Sequence, residues 1–139
     1  MVARAARELP RFFPKIPLSE ICKMNCRGGK HDLDPTSVSQ INIDAYGWVS
    51  SWVCSGIALG NAKETPLSEI VTRSIDKHHP MIGAIIERGP AAMLEMAARH
   101  GFQPASEYVS KCHLCWDIRM NIHKHYPALF APEELYTIP

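Results

Sequence analysis

The chain has 139 residues, 46% of them apolar and 21% charged, the composition of one globular domain rather than of a disordered tract. Fifteen Lys and Arg stand against fourteen Asp and Glu, a formal charge of +1. This excludes a broad basic surface for nucleic acid or for an anionic membrane. The length also excludes a large catalytic barrel, which needs about 200 residues or more.

Residues 1–37 read as an irregular N-terminal segment. Pro10, Pro14, Pro17 and Pro35 interrupt it, and Gly28-Gly29 marks a tight backbone passage. Its first fifteen residues carry Arg4, Arg7, Arg11 and Lys15 without an apolar stretch, so they do not read as a secretory signal. No run in the chain approaches the roughly 18 apolar residues of a membrane span.

From residue 38 the pattern changes. Ile41 and Ile43 alternate with Asn42 and Asp44, and Asp44-Ala45-Tyr46-Gly47 supplies turn chemistry. Trp48, Trp52 and Cys54 then share one face of a second strand, with Val49 and Val53 on the other. The expectation is an antiparallel β-hairpin over 38–54.

Beyond Gly60 the period is helical. Thr65 and Pro66 begin one helix, whose face carries Leu67, Ile70, Val71 and Ile75. Pro80 begins a second that Gly89 ends. Pro90 begins a third, with Met93, Met96 and Ala97 inward and Gly101 as its stop. Residues 106–126 read as one or two helices containing Cys112-His113-Leu114-Cys115, and Pro132-Glu133-Glu134-Leu135 adds a last turn. The fold class is therefore α+β: a small hairpin followed by a helical segment, in a single domain whose body is 38–139. The pentapeptide Pro-Leu-Ser-Glu-Ile occurs twice, at 17–21 and 66–70. The flanking residues differ, which reads as coincidence rather than duplication.

The cysteines carry the sharpest chemical signal. Five of them, an odd number, argue against a fully paired disulfide framework and for a reducing cytoplasm. Cys112-x-x-Cys115 lets two thiolates converge on one metal. Cys26 and Cys54 bracket the hairpin and can meet that pair at its base, with Cys22 as the substitute for Cys26. Four thiolates suit either tetrahedral zinc or a 4Fe-4S cluster. His113 or His31 can replace a cysteine at a zinc site. The competing reading is that these are buried core cysteines of a metal-free helical interaction domain. Trp48 and Trp52 share the parity of Cys54 and would either shield a cluster or pack in the core. Asp117 and Arg119 flank the Cys-x-x-Cys pair, where they orient ligands or form a surface ion pair. No nucleophile–base pair or paired-carboxylate site is legible.

Cys22-x-x-x-Cys26 begins like the three-cysteine loop of radical S-adenosylmethionine enzymes, but Gly29 stands where the third cysteine belongs. A wider run resembles another part of those proteins. It comprises Ile41-Asn42-Ile43-Asp44-Ala45-Tyr46-Gly47, Cys54-Ser55-Gly56-Ile57-Ala58-Leu59-Gly60-Asn61, Pro66-Leu67-Ser68-Glu69-Ile70, Cys112-His113-Leu114-Cys115-Trp116-Asp117-Ile118-Arg119 and Phe130-Ala131-Pro132-Glu133-Glu134-Leu135-Tyr136. This order is similar to the C-terminal auxiliary region of radical S-adenosylmethionine proteins, the SPASM or twitch extension. The resemblance implies that Cys26, Cys54, Cys112 and Cys115 hold an auxiliary 4Fe-4S cluster. It also implies a radical S-adenosylmethionine barrel, as a domain or a subunit, for a partner. Two departures from the pattern stand out. Six residues separate Gly47 from Cys54 where the family has four, and the cysteines for a second cluster are missing.

Overall fold

Ile41 to Ser51 folds as the alternation requires, and the reason lies in the turn. The computed structural model describes residues 8–26, 41–51, 54–75, 79 and 81–137. Strands β2 (Ile41–Ile43) and β3 (Trp48–Ser51) pair antiparallel, with Ile41 opposite Ser51 and Ile43 opposite Val49. The Asp44 carboxylate accepts from the backbone N–H groups of Tyr46 and Trp48, both at 2.9 Å, an Asx arrangement that closes the turn. Gly47 takes φ +90° there, and a Cβ on it would lie 2.6 Å from Asn61 Oδ1.

The hairpin is one half of a larger sheet. A third strand, β4 (Ala58–Asn61), pairs with β3 to give the order β2-β3-β4, with a register shift between Val49 and Ser50. The second strand is described over Trp48–Ser51; Trp52 and Val53 lie outside the described residues, and Cys54 stands in a bend. Gly60 lies inside β4 and is not a boundary. Its missing side chain lets the sheet close on helix α2 (Leu67–Ile75), since a Cβ would stand 3.0 Å from Ile70 Cγ1.

The helical half follows the punctuation with two modifications, one being that Glu107–Tyr108, expected within a helix, forms a short strand and the helix begins only at Lys111. Helix α3 (Ile82–Arg88) ends at Gly89. A 3-10 turn over Gly89–Met93 then leads into the short helix α4 (Leu94–Ala98), so the third expected helix is split in two. Met93 and Ala97 are fully buried, as their spacing implied. The long helix α5 (Lys111–Ile122) starts at Ser110, whose hydroxyl accepts from His113 N–H at 3.2 Å. A last helix, α6, spans Glu134–Thr137.

The N-terminal segment departs from its irregular reading. Strand β1 (Ile16–Pro17) pairs antiparallel with β5 (Glu107–Tyr108), and helix α1 (Leu18–Ile21) follows at once. Leu18 N–H donates to the Ser106 carbonyl at 2.8 Å. Proline density misleads here because Pro17 occupies a strand end and the residue before a helix, positions where its missing N–H breaks no bond. Ile21 is 0% exposed and joins Ile57, Ile85, Met93, Leu114, Ile118 and Phe130 in one core. The two Pro-Leu-Ser-Glu-Ile pentapeptides behave alike: each opens a helix and buries its isoleucine. Among the described residues no helix is long and apolar enough to cross a membrane.

Candidate metal centre

Three segments deliver the cysteines. Cys112 and Cys115 lie in the first turns of α5, three residues apart and so on one side of the helix. Cys26 comes from the loop after α1, where its N–H donates to the Ile86 carbonyl at 3.2 Å. That loop is pressed against the corner after α3. Gly89 adopts φ +60°, and a Cβ on it would stand 2.2 Å from the Met24 carbonyl oxygen. Lys111 then reaches across from α5 and donates to the Asn25 carbonyl at 2.6 Å.

Cys54 opens a tight turn in which its carbonyl accepts from Ile57 N–H at 3.0 Å. Side chains hold this turn. Arg119 donates through Nη1 to the Ser55 carbonyl at 2.7 Å and through Nε to the Cys115 carbonyl at 3.3 Å. Arg119 Nη1 also meets the Tyr136 hydroxyl at 3.3 Å, and that hydroxyl donates to the Gly56 carbonyl at 2.5 Å. Gly56 has φ +86°, and a Cβ there would fall 2.6 Å from the same hydroxyl.

The thiols of Cys26, Cys54 and Cys115 feel their neighbours. Burial pushes the Cys54 thiol up to about 12, with Cys115, Cys26 and Cys112 adding to the rise and Arg119 opposing it. The Cys26 thiol is raised by burial first, lowered by Lys111, and raised again by Cys115 and Cys112. Cys115 is raised by burial and by Cys112, against the pull of Arg119. Cys22 does not figure among the charges that reach these three. The fold thus brings residues 26, 54, 112 and 115 within electrostatic reach, with Lys111 acting on Cys26 and Arg119 on Cys54 and Cys115. Among the described residues, however, no three Cys, His, Asp or Glu side chains stand close enough to hold a metal ion as they are. The donor set has the chemistry of a thiolate-bound metal or cluster, because soft sulfur donors favour zinc and iron–sulfur groups.

Arg119 is the residue that the sequence reading placed least well. It is 5% exposed, and no carboxylate pairs with it among the described residues. Burial works against its charge, but Cys115, Tyr136 and Cys54 favour it, and the balance holds its pKa above the ordinary value. Its guanidinium carbon lies 5.2 Å from the centre of the Trp116 ring and 5.9 Å from that of Tyr136. Tyr136 in turn stacks on Trp116 at 5.4 Å and on His123 at 4.7 Å. A positive charge therefore sits in the core between two thiols and an aromatic stack. The available signal was helical spacing, since Arg119 follows Cys115 by four residues and Cys112 by seven.

The remaining candidates lie elsewhere. His113 packs edge-on against Tyr108 at 5.1 Å, and burial lowers its pKa ahead of the effects of Asp117 and Lys15. Asp117 accepts from the Tyr108 hydroxyl at 2.7 Å and forms no surface pair with Arg119. Trp48 stands at the end of β3 remote from Cys54 and lines a different cleft. His31, Gly28, Gly29 and Trp52 lie outside the described residues. No family model, curated protein or solved structure matches this chain.

Proposed function

We propose that the chain is an iron–sulfur auxiliary module, with Cys26, Cys54, Cys112 and Cys115 as the thiolates that hold a 4Fe-4S cluster. The observation that carries this reading is the convergence of three segments widely separated in sequence: Lys111 and Arg119 of the Cys112–Cys115 helix bond the carbonyls of Asn25 and Ser55, next to Cys26 and Cys54. When bound, such a cluster supplies a one-electron store. The protein's own part is to gather the sulfurs and offset their charge. Lys111 and Arg119 do this from the two ends of the Cys-x-x-Cys helix, and helix α5 adds the positive end of its dipole near Cys112. Burial of Cys54 and Cys115 keeps both thiols protonated until a metal displaces the protons. The resemblance to the SPASM or twitch region supports a radical S-adenosylmethionine barrel for a partner, and the odd cysteine count supports a cytoplasmic setting.

The test is anaerobic reconstitution with iron and sulfide. Metal analysis and the visible spectrum are read for the wild type and for single Cys→Ser variants. About four irons per chain, lost in Cys112→Ser and Cys115→Ser but retained in Cys22→Ser, is the expected result. One zinc and no visible absorption would replace the cluster by a structural zinc site. A full metal complement in Cys112→Ser would return the cysteines to the core.

A further inference from the structure

A second site lies away from the cysteines. A cavity of about 490 Å³ opens between the Asp44–Trp48 turn and the segment from His123 to Glu134, within the range of small-molecule sites. One wall is aromatic, from Tyr46 and Trp48, and the floor is apolar, from Phe130 and Ala131. Lys124 lies on one side of the rim, with Glu133 and Glu134 on the other stretch of chain. None of these three charges is ion-paired among the described residues.

The aromatic wall is built rather than incidental. Besides the two bonds from Asp44, Asn61 Nδ2 donates to the Tyr46 carbonyl at 3.4 Å and Lys63 Nζ to the Ala45 carbonyl at 3.4 Å. Ala62 N–H donates to the Gly47 carbonyl at 2.8 Å. These bonds fix the backbone that presents Tyr46, a residue left 50% exposed. On the opposite wall, His123 stacks on Tyr136 and bonds the Met120 carbonyl through Nδ1 at 3.0 Å. A carbonyl only accepts, so Nδ1 carries a proton. Nε2 is enclosed, without a partner among the described residues, so His123 serves the cleft as a packed wall rather than as a hydrogen-bond acceptor.

We infer that this cleft binds a small zwitterion bearing a planar ring, of which an aromatic α-amino acid is the simplest case. The ring lies against Trp48 and Tyr46, over the floor formed by Phe130 and Ala131. The ammonium group faces Glu133 and Glu134, and the carboxylate faces Lys124. The inference is independent of any metal at the cysteines.

The test is calorimetry and saturation-transfer NMR on the full chain, with L-tyrosine as the probe. A dissociation constant on the order of 1 mM is expected, the level that ligands of this size reach in an ordinary cleft. L-phenylalanine, which keeps the ring and both charges, should bind about as well. Tyramine and N-acetyl-L-tyrosine, each missing one charge, should lose affinity. Lys124→Glu changes an exposed residue, so the fold should survive, and it should weaken L-tyrosine binding but not tyramine binding. Trp48→Ala should remove the transfer to the ring protons. Absence of L-tyrosine binding by the folded wild type would overturn the inference. So would binding that is indifferent to both Lys124→Glu and the loss of either ligand charge.

Discussion

Lys111 and Arg119 each fasten one cysteine segment to helix α5, but they do so in opposite surroundings. Lys111 is partly exposed and makes its bond to the Asn25 carbonyl from the solvent side. The Cys26 loop depends mainly on backbone fit, with the Met24 carbonyl lodged where Gly89 has no side chain. Arg119 is enclosed, and the Cys54 turn depends on side chains that bond its carbonyls from within the core. One arm of the site is held by shape and the other by buried polar bonds. The two should therefore fail under different substitutions.

The largest effect is expected from Gly89→Ala. The new Cβ meets a backbone carbonyl, which has little freedom to yield, at a φ of +60°. Strain of about 1–3 kcal/mol and the steric conflict add, so a loss of roughly 3 kcal/mol in denaturant unfolding is expected, together with faster alkylation of Cys26. Gly56→Ala should cost less, because the atoms it meets belong to the side chains of Leu135, Tyr136 and Arg119. A Gly56→Ala that is the more damaging of the two would reverse the contrast.

Arg119→Met comes next. It leaves the Ser55 carbonyl without its buried donor, at a cost of about 1–3 kcal/mol, and removes the cation beside Cys54 and Cys115. Unfolding and iron per chain after reconstitution should both fall. Arg119→Lys keeps a charge but not the fork that reaches several oxygens at once, so it should recover only part of either.

A smaller effect follows from pH and touches the arm held from within. His79 accepts from Met81 and Ile82 N–H through Nδ1, at 3.2 and 3.1 Å, and donates from Nε2 to the Ala58 carbonyl at 2.8 Å. This arrangement needs the neutral ring, and burial holds the pKa below the ordinary 6.5. The unfolded chain then binds the proton more readily. The stabilisation is complete above pH 6.5 and is lost as the pH falls from there through the depressed folded value. His113, also lowered by burial, contributes a slope of the same sign. Thermal midpoints should therefore drop between neutral and mildly acidic pH. His79→Gln should flatten part of that drop, and an unchanged slope would remove His79 from the account.

Lys111→Met should be the mildest change, within about 0.5 kcal/mol for a surface site. A loss equal to that of Arg119→Met would abolish the distinction between the two arms.

The sequence carried the α+β class because period-two and helical patterns occupy separate stretches, and Gly89 and Gly101 stop helices where glycine can supply positive φ. Strand β4 was hidden because Ala58-Leu59-Gly60-Asn61 has neither alternation nor β-branched residues. What holds it is tertiary: pairing to β3, Ile70 packed on Gly60, and Ala58 N–H donating to the Leu129 carbonyl at 2.9 Å. The N-terminal elements were hidden for a similar reason, since β1 exists only through its pairing with residues ninety positions away. At the candidate site, sulfur spacing could be read directly. The enclosure of Arg119 could not, because arginine is among the residues least often buried. Nor could a turn at residues 54–57 held by side chains from positions 119 and 136.

The placement of the two cations has a consequence for ionic strength. Mobile ions shorten the reach of a surface charge, with a Debye length of about 8 Å at physiological salt, but they do not enter a packed interior. The pull of Lys111 on Cys26 should fade as salt is added, whereas that of Arg119 on Cys54 and Cys115 should persist. An anionic group held between them would lean on the interior cation alone in concentrated salt, so raising the ionic strength loosens the Cys26 side first.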